Sequence, residues 1–357
     1  MKDAPPRDTA AISGLIDADI HPRNPQRHDL APHASAYWAE MFEYRSIDRL
    51  EMMSQPQSIG LNQHAEGAQA NATPQDIARL HLDPQGISAG ILNVMSGAHA
   101  AYDPYLAAAL CEATNRWLAA DWLGQDSRLH AAALVPFVNP DAAVQEINRL
   151  APDRRFVSVL TPLMGEKPLG RREYWPIYRA MTEHGFALAI HPGSIYRHAP
   201  TQSGFLSYRV EEAALAPQAF ASQLASLVAE GVFTEFPDLR VVLLDSGLSW
   251  LPALMWRMTK DWKGIRLEVP WIKEAPSDII TRHVRMGTQA ADLPQDADQI
   301  ARVLGQFDAA NMLIHASDFP RPHATGAGVP DWLPQPLHAA VARDTARATF
   351  VRLEGLE

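Results

Sequence analysis

Eight apolar, β-rich runs alternate with segments of helical period along this chain, and few folds accommodate that order. The runs fall at residues 15–22, 88–95, 130–137, 156–163, 186–192, 240–247, 283–289 and 312–320. Amphipathic segments follow most of them, and the clearest, at 104–123, is rich in Ala and Leu with Pro in its first turn. Repeated strand–helix units predict an α/β protein whose parallel sheet closes into a (β/α)8 TIM barrel.

The length of 357 residues suits a single barrel domain with an insertion. An open doubly wound sheet is the rival, but the turn after the first strand, Ile20-His21-Pro22-Arg23-Asn24, lacks the glycines of a phosphate loop. Residues 23–75 are weakly periodic and rich in Gln, His, Pro and Met. We therefore expect one domain over 1–357, a distorted barrel whose insertion at 23–75 caps the mouth or contacts another subunit.

Composition excludes several classes of function. The formal net charge is −10 and no basic cluster stands out, so neither a nucleic-acid partner nor an anionic membrane is expected. The single cysteine, Cys111, excludes an intrachain disulfide and a cysteine-based metal site. No run approaches the roughly 18 apolar residues of a membrane span, and residues 1–8 lack the apolar core of a signal peptide. A cytoplasmic protein acting on a small molecule is expected.

The first run places ionisable residues at alternate positions. Asp17, Asp19 and His21 would share one face of a strand, with Ile16, Ala18 and Ile20 on the other. Three ionisable groups pointing into a barrel are costly to bury without a common partner, and a divalent cation is such a partner. A buried hydrogen-bond cluster or a solvated edge strand is the alternative.

Three later runs add candidates at the same end of the barrel. His191 ends the fifth run, Asp245 the sixth and Asp318 the eighth, all at the C-terminal ends of strands, where barrel enzymes place their sites. Alternation puts His315 on the opposite face from Asp318, which indicates a structural role. The alternatives are a packed core histidine for His191 and helix or turn caps for the two aspartates.

The pattern resembles the amidohydrolase superfamily, specifically the amidohydrolase-related group that includes aminocarboxymuconate-semialdehyde decarboxylase. The matching segments are Asp19-x-His21-Pro22, Ile190-His191-Pro192-Gly193, residues 231–239, residues 247–252 and Ala316-Ser317-Asp318-Phe319-Pro320. The resemblance implies a distorted (β/α)8 barrel with a divalent metal ion held by Asp19, His21, His191 and Asp318.

The chain departs from that group at three points. Decarboxylases of the group usually carry His at the end of strand six, where this chain has Asp245. Family members commonly have His directly after the strand-eight motif, where this chain has Arg321, with His323 two residues later. Strand four offers Leu160-Thr161 and no lysine for a carbamylated bridge between two metals.

Metal-assisted hydrolysis is the first function that we expect. One divalent ion, zinc by expectation with manganese or iron as alternatives, would activate water and polarise a carbonyl. Asp318 would act as ligand and proton acceptor, or Asp245 would accept the proton. Arg197, His198 and Arg209 could bind a carboxylate of a small, carboxylated or aromatic substrate.

Three alternatives stay open. In a non-oxidative decarboxylase the ion would hold the substrate carboxylate or phenolate, and Asp245 or His323 would protonate carbon. Asp19, His21 and His191 also form a two-His, one-carboxylate set that suits a non-haem iron or manganese oxygenase. The third alternative is a structural subunit without activity that pairs with a paralogous barrel. Either a homodimer or such a heteromer is expected.

Overall fold

The computed structural model describes residues 14–47, 73–101, 103–194, 199, 201–289, 291–320 and 328–354. Eight strands form one sheet in sequence order, and each strand pairs in parallel with the next. The strands are β1 (Leu15–Ile20), β2 (Ile87–Leu92), β3 (Leu129–Leu134), β4 (Phe156–Met164), β5 (Ala187–Ser194), β6 (Val241–Leu243), β7 (Val284–Gly287) and β8 (Leu313–Ile314). All eight predicted strands are present, and β6 and β8 are shorter than expected.

Main-chain hydrogen bonds between the segment after β8 and strand β1 close the sheet. The Ala18 N–H donates to the carbonyl of His315 over 3.0 Å, and the His21 N–H donates to that of Phe319 over 2.7 Å. Between them, the Asp318 N–H donates to the carbonyl of Asp19 over 3.0 Å. The eight parallel strands therefore form a nearly closed barrel, as the sequence predicts.

Helices cover the outside of the barrel between successive strands. They are α1 (Arg27–Leu30), α2 (Ala36–Tyr44), α3 (Pro74–Ile77), α4 (Asp83–Gln85), α5 (Pro104–Trp117), α6 (Pro140–Leu150), α7 (Trp175–His184), α8 (Arg209–Ala229), α9 (Val232–Glu235), α10 (Leu251–Ile265), α11 (Pro276–His283), α12 (Ala297–Leu304), α13 (Ala309–Met312) and α14 (Thr345–Thr349). None of the described helices is both long enough and apolar enough to span a membrane.

Two predicted helices are less regular than expected. The helix at 104–123 continues past α5 as a π-helical turn, Leu118–Trp122. The helix expected at 337–353 is present over 338–349, but it contains a π-helical turn at Ala340–Asp344 and is followed by a 3-10 turn at Val351–Leu353. Of the expected insertion at 23–75, residues 23–47 hold α1 and α2, whereas 48–72 lie outside the described residues.

The barrel strands are apolar on both faces because helices cover the outside and side chains fill the inside. Every residue of β1, β3, β6 and β7 is buried. Packing is tight enough to require glycine in β2: a Cβ at Gly90 would lie 2.6 Å from Ile20 Cδ1 and 3.2 Å from Leu82 Cδ2. A side chain at this position would push apart β1 and the helical segment that precedes β2.

Arg352 fastens the C-terminal segment to the base of the barrel. Its guanidinium is buried and donates to the main-chain carbonyls of Phe156, His184, Ala151 and Asp153. The same group lies 4.2 Å from the ring centroid of Phe186. The Arg352 side chain thus binds carbonyls at the start of β4, after α6 and at the end of α7. These bonds join the 3-10 turn at Val351–Leu353 to the sheet.

We predict that Arg352→Met lowers the free energy of unfolding by about 2–4 kcal/mol, because methionine keeps an apolar stem but removes the guanidinium that donates to four main-chain carbonyls. Urea unfolding followed by circular dichroism measures the difference. Arg154→Met is the matched control, since exposed Arg154 donates to three carbonyls of the same C-terminal segment. It should cost no more than about 0.5 kcal/mol. Equal losses in the two variants would contradict the assigned role of Arg352.

Candidate metal centre

Four buried side chains converge at the C-terminal end of the barrel. Asp19 and His21 lie at the end of β1, His191 lies in β5, and Asp318 follows β8. One nitrogen or oxygen from each lies within 4.8 Å of the corresponding atom of the other three. Within the described ranges, this is the one group of three or more His, Cys, Asp or Glu with that geometry. The structure therefore brings the four predicted ligands together.

Both imidazole rings turn Nε2 toward the carboxylates because Nδ1 is engaged elsewhere. His21 Nδ1 lies 3.0 Å from the main-chain oxygen of Asn93, and His191 Nδ1 lies 3.1 Å from that of Pro192. A carbonyl oxygen only accepts, so Nδ1 carries the hydrogen and Nε2 of a neutral ring keeps its lone pair. His21 Nε2 lies 2.8 Å from Asp318 Oδ1 and 3.4 Å from Asp19 Oδ1.

Two buried atoms of this group have no hydrogen-bond partner among the described residues. They are Asp19 Oδ2 and His191 Nε2, and they lie 3.5 Å apart. A buried polar atom without a hydrogen-bond partner lowers the stability of the folded protein by about 1–3 kcal/mol. A single partner that binds both atoms would remove this cost. Two imidazole nitrogens and two carboxylates are a donor set that binds one divalent cation. The residues present therefore fit a single metal ion.

Asp19 is held in its charged form. Burial by itself would raise the pKa of its carboxyl, but the positive charges that His21 and His191 carry when they are protonated in the metal-free site outweigh burial and hold that pKa well below its ordinary value. The hydrogen bond from Asn93 acts in the same direction. Asp19 is therefore an anion at neutral pH, as a metal ligand must be.

Asn93, which directly follows β2, fixes both residues contributed by β1. Its side-chain amide donates to Asp19 Oδ1 and to the main-chain carbonyl of Ala18, each over 2.9 Å. The main-chain carbonyl of Asn93 accepts from His21 Nδ1. Such outer contacts orient metal ligands and set the tautomer of a ligating histidine. Sequence analysis missed this residue. The available signal was a polar side chain near the C-terminal end of the apolar run at 88–95, at the edge where the other candidates gather.

Asp17 does not join the four-residue group, although strict alternation along β1 predicts that it shares their face. The register of β1 against β2 shifts between Asp17 and Ile20, so the alternation fails here. Asp17 Oδ2 instead lies 2.7 Å from Nε2 of buried His81. Burial would raise the pKa of Asp17, but the hydrogen bond from His81 helps to hold it below its ordinary value. His81 is a second residue that sequence analysis missed.

The two aspartates that end β6 and β8 adopt a strained backbone. Asp245 has φ 52° and Asp318 has φ 58°, and only one other described non-glycine residue has a positive φ. The left-handed region costs most residues about 1–3 kcal/mol and persists where the surroundings enforce it, often at functional sites. Asp245 is half-buried and lies outside the four-residue group. Its neighbouring strand β5 carries His191.

A capping role was the alternative for Asp245, and Asp292 makes contacts of that kind just before α10. The main-chain N–H groups of Leu248 and Ser249, just before α10, donate to Asp292 Oδ1 over 2.6 and 2.9 Å. Asp292 also accepts from the Ser249 hydroxyl. Because Asp292 takes these two N–H groups, Asp245 stays a candidate for chemistry.

Several predicted site side chains are not placed. His323 and the neighbouring Arg321 fall in 321–327, and Arg197 and His198 fall in 195–198, all outside the described residues. Arg209 begins α8, but its side chain is also outside the described part. The substrate-binding and catalytic roles expected of these residues stay predictions.

The sequence profile described as "Amidohydrolase" matches residues 16–351. A gamma-resorcylate decarboxylase from Rhizobium sp. strain MTP-10005 is 29% identical over 201 residues, which are 52% of this chain and 58% of that protein. The match thus spans less than two thirds of that relative's length.

Solved structures share the fold. An amidohydrolase from Mycobacterium avium subsp. paratuberculosis K-10 aligns with a TM-score of 0.71 and 19% identity over 95% of this chain and 98% of that one. A dihydroxybenzoic acid decarboxylase from Polaromonas sp. JS666, solved with manganese and the inhibitor 2-nitroresorcinol, aligns with a TM-score of 0.64 and 18% identity over 95% and 97%. At these identities the likeness establishes the barrel.

We predict that His191→Gln abolishes retention of a divalent ion through gel filtration, because the variant loses the imidazole nitrogen that faces Asp19. Inductively coupled plasma mass spectrometry after loading with Mn²⁺ measures the metal content. The expected result is about one ion per wild-type chain and a small fraction of that in the variant. His130→Gln is the matched control, since His130 is also buried in a barrel strand but is bonded to the carbonyl of Arg128. Full metal content in His191→Gln would refute the ligand assignment.

Proposed function

The chain belongs to the amidohydrolase family, and we propose that it is a metal-dependent, non-oxidative decarboxylase acting on a hydroxylated aromatic carboxylate. The observation that carries the proposal is the convergence of Asp19, His21, His191 and Asp318 in one buried group that fits a single cation. The curated relative described above is a decarboxylase of a dihydroxybenzoate, which supports the substrate class.

Decarboxylation now has better support than the hydrolysis that the sequence first suggested. The reaction replaces a carbon–carbon bond by a carbon–hydrogen bond: a proton adds to the ring carbon, and the electron pair of the broken bond stays with the ring as carbon dioxide leaves. It needs a group that holds the carboxylate and a proton donor, but no activated water. Hydrolysis stays the broader alternative for the family.

A divalent ion bound by the four residues would supply positive charge against the carboxylate and an adjacent phenolate oxygen of the substrate. Manganese is the ion present in the related dihydroxybenzoic acid decarboxylase structure, so we propose manganese beside the zinc expected from the sequence. Asp19 and Asp318 would keep the site anionic before the ion binds, and His21 and His191 would present their Nε2 lone pairs.

Asp245 is our candidate for the group that delivers the proton. It lies at the end of β6, next to the strand that carries His191, and it is not a member of the ligand group. Its left-handed backbone fixes the direction in which the side chain leaves the strand. A carboxyl group here would take the place of the histidine that related decarboxylases carry, and would protonate the ring carbon of the bound substrate.

The remaining alternatives have less support. An oxygenase could use the set of Asp19, His21 and His191, but the curated relative described above is a decarboxylase. A structural subunit without activity would have little reason to keep four ionisable side chains buried together. A small-molecule substrate, a cytoplasmic location and assembly as a homodimer or with a paralogous barrel stay proposals.

We predict that the manganese-loaded protein converts 2,6-dihydroxybenzoate to resorcinol and carbon dioxide in equal amounts. Liquid chromatography and a coupled carbon dioxide assay measure the two products, with zinc-loaded protein in parallel. Benzoate is the control substrate, because without an ortho hydroxyl it offers the metal a poorer chelate. Turnover of a panel of amides and lactones without carbon dioxide release from any hydroxybenzoate would reject the decarboxylase in favour of a hydrolase.

We predict that Asp245→Asn lowers kcat about 10²–10⁴-fold with little change in KM or metal content, since the amide cannot donate a proton from a carboxyl group. Steady-state kinetics and metal analysis check both quantities. Asp292→Asn is the matched control: it also follows a barrel strand, and its amide oxygen still accepts from Leu248 and Ser249. A kcat of Asp245→Asn equal to that of the control would remove Asp245 from the mechanism.

A further inference from the structure

A buried network of three polar side chains lies behind the ligand group, and none of the three is a ligand. Its members are Asp17 in β1, His81 in the π-helical turn Ala78–Leu82, and Ser317 next to Asp318. We propose that His81 is a positioning residue of the metal centre, which holds Asp19 and Asp318 at the separation that one cation needs. The inference rests on the metal site of the proposed function.

Asp17 joins the two segments that carry the carboxylate ligands. Its Oδ1 accepts from the main-chain N–H of Asp19 and from that of Ser317, each over 3.0 Å. One carboxylate oxygen therefore sets the spacing between β1 and the segment after β8, directly beside both ligands. Any rotation of the Asp17 side chain would break these two bonds together.

His81 prevents that rotation. Its Nε2 lies 2.7 Å from Asp17 Oδ2 and 3.1 Å from Ser317 Oγ. Its ring stacks on Phe319, with centroids 4.4 Å apart and planes 14° apart. The imidazole is thus held on one face by an aromatic ring and at its edge by two polar atoms, and it fixes the second oxygen of Asp17. A π-helical turn is a common device for presenting a functional side chain.

The network has the composition of a Ser-His-Asp triad but not its geometry. In a triad the serine and the carboxylate contact different nitrogens of the imidazole, so that a proton passes through the ring. Here both contact Nε2. Ser317 is occupied as well, because its hydroxyl donates to the carbonyl of Asp19 over 3.3 Å and accepts from the N–H of Phe319 over 3.1 Å. The arrangement orients backbone and carries no nucleophile.

The test compares two substitutions of His81 in the full chain. His81→Phe keeps a ring against Phe319 but removes the donor to Asp17, whereas His81→Gln keeps an N–H donor at similar reach. Apoprotein is titrated with Mn²⁺, and the electron paramagnetic resonance signal of free Mn²⁺ gives Kd. We expect His81→Phe to raise Kd about 10–100-fold, as losses of outer-shell contacts do, and His81→Gln to recover most of that loss.

His283→Phe is the matched control. His283 is also buried and also stacks on a phenylalanine, with its centroid 4.6 Å from that of Phe233, but it bonds the main-chain carbonyl of Leu239 rather than a side chain near the ligands. It lies at the base of the barrel at the end of α11. We expect this variant to lower thermal stability while Kd for Mn²⁺ stays at the wild-type value, which separates positioning from general loss of packing.

Ser317→Ala gives a second measurement should His81→Phe fold poorly, and we expect it to weaken Mn²⁺ binding as well. Three results would overturn the inference: wild-type Kd in folded His81→Phe, equal weakening in His283→Phe, or no recovery in His81→Gln. A wild-type chain that binds Mn²⁺ but releases no carbon dioxide would reject the decarboxylase and leave this inference standing. A wild-type chain that binds no metal would overturn both.

Discussion

The mutual arrangement of two carboxylates and two imidazole nitrogens in a buried space is the constraint on which the rest of this structure depends. Asp19 Oδ2 and His191 Nε2 face each other at 3.5 Å without hydrogen-bond partners among the described residues. Negative charge and lone pairs placed together out of water are unfavourable unless a cation joins them. The barrel holds these groups together because rigid strands carry Asp19 and His191, and His21 directly follows the strand that carries Asp19.

Hydrogen bonds from residues that are not ligands hold this arrangement in place. Asn93 holds both residues from β1, and the network of Asp17, His81 and Ser317 holds the main chain around Asp19 and Asp318. These contacts come from the segment after β2, from a helical turn before it and from the segment after β8. Three of the four ligand residues are therefore held where the first and last strands meet, and His191 reaches them from β5.

Much of the architecture follows from sequence periodicity, because strands buried on both faces leave long apolar runs and polar residues at their ends are conspicuous. On this basis the sequence predicts Asp19, His21, His191 and Asp318 as metal ligands. It failed at Asp17, since a register shift within β1 is set by tertiary packing against β2 and leaves no local signal. It also missed His81 and Asn93, whose roles depend on partners 64 and 74 residues away in sequence.

The seam of the barrel has a consequence for its energetics. The segment after β8 meets β1 through main-chain bonds of His21, Asp318 and Phe319; the first two belong to the ligand group, and Phe319 directly follows Asp318. The contacts that close the sheet are thus made by the same residues that form the candidate metal centre. An ion bound there would be linked thermodynamically to the cohesion of the first and last strands, and its removal would weaken the barrel at this junction.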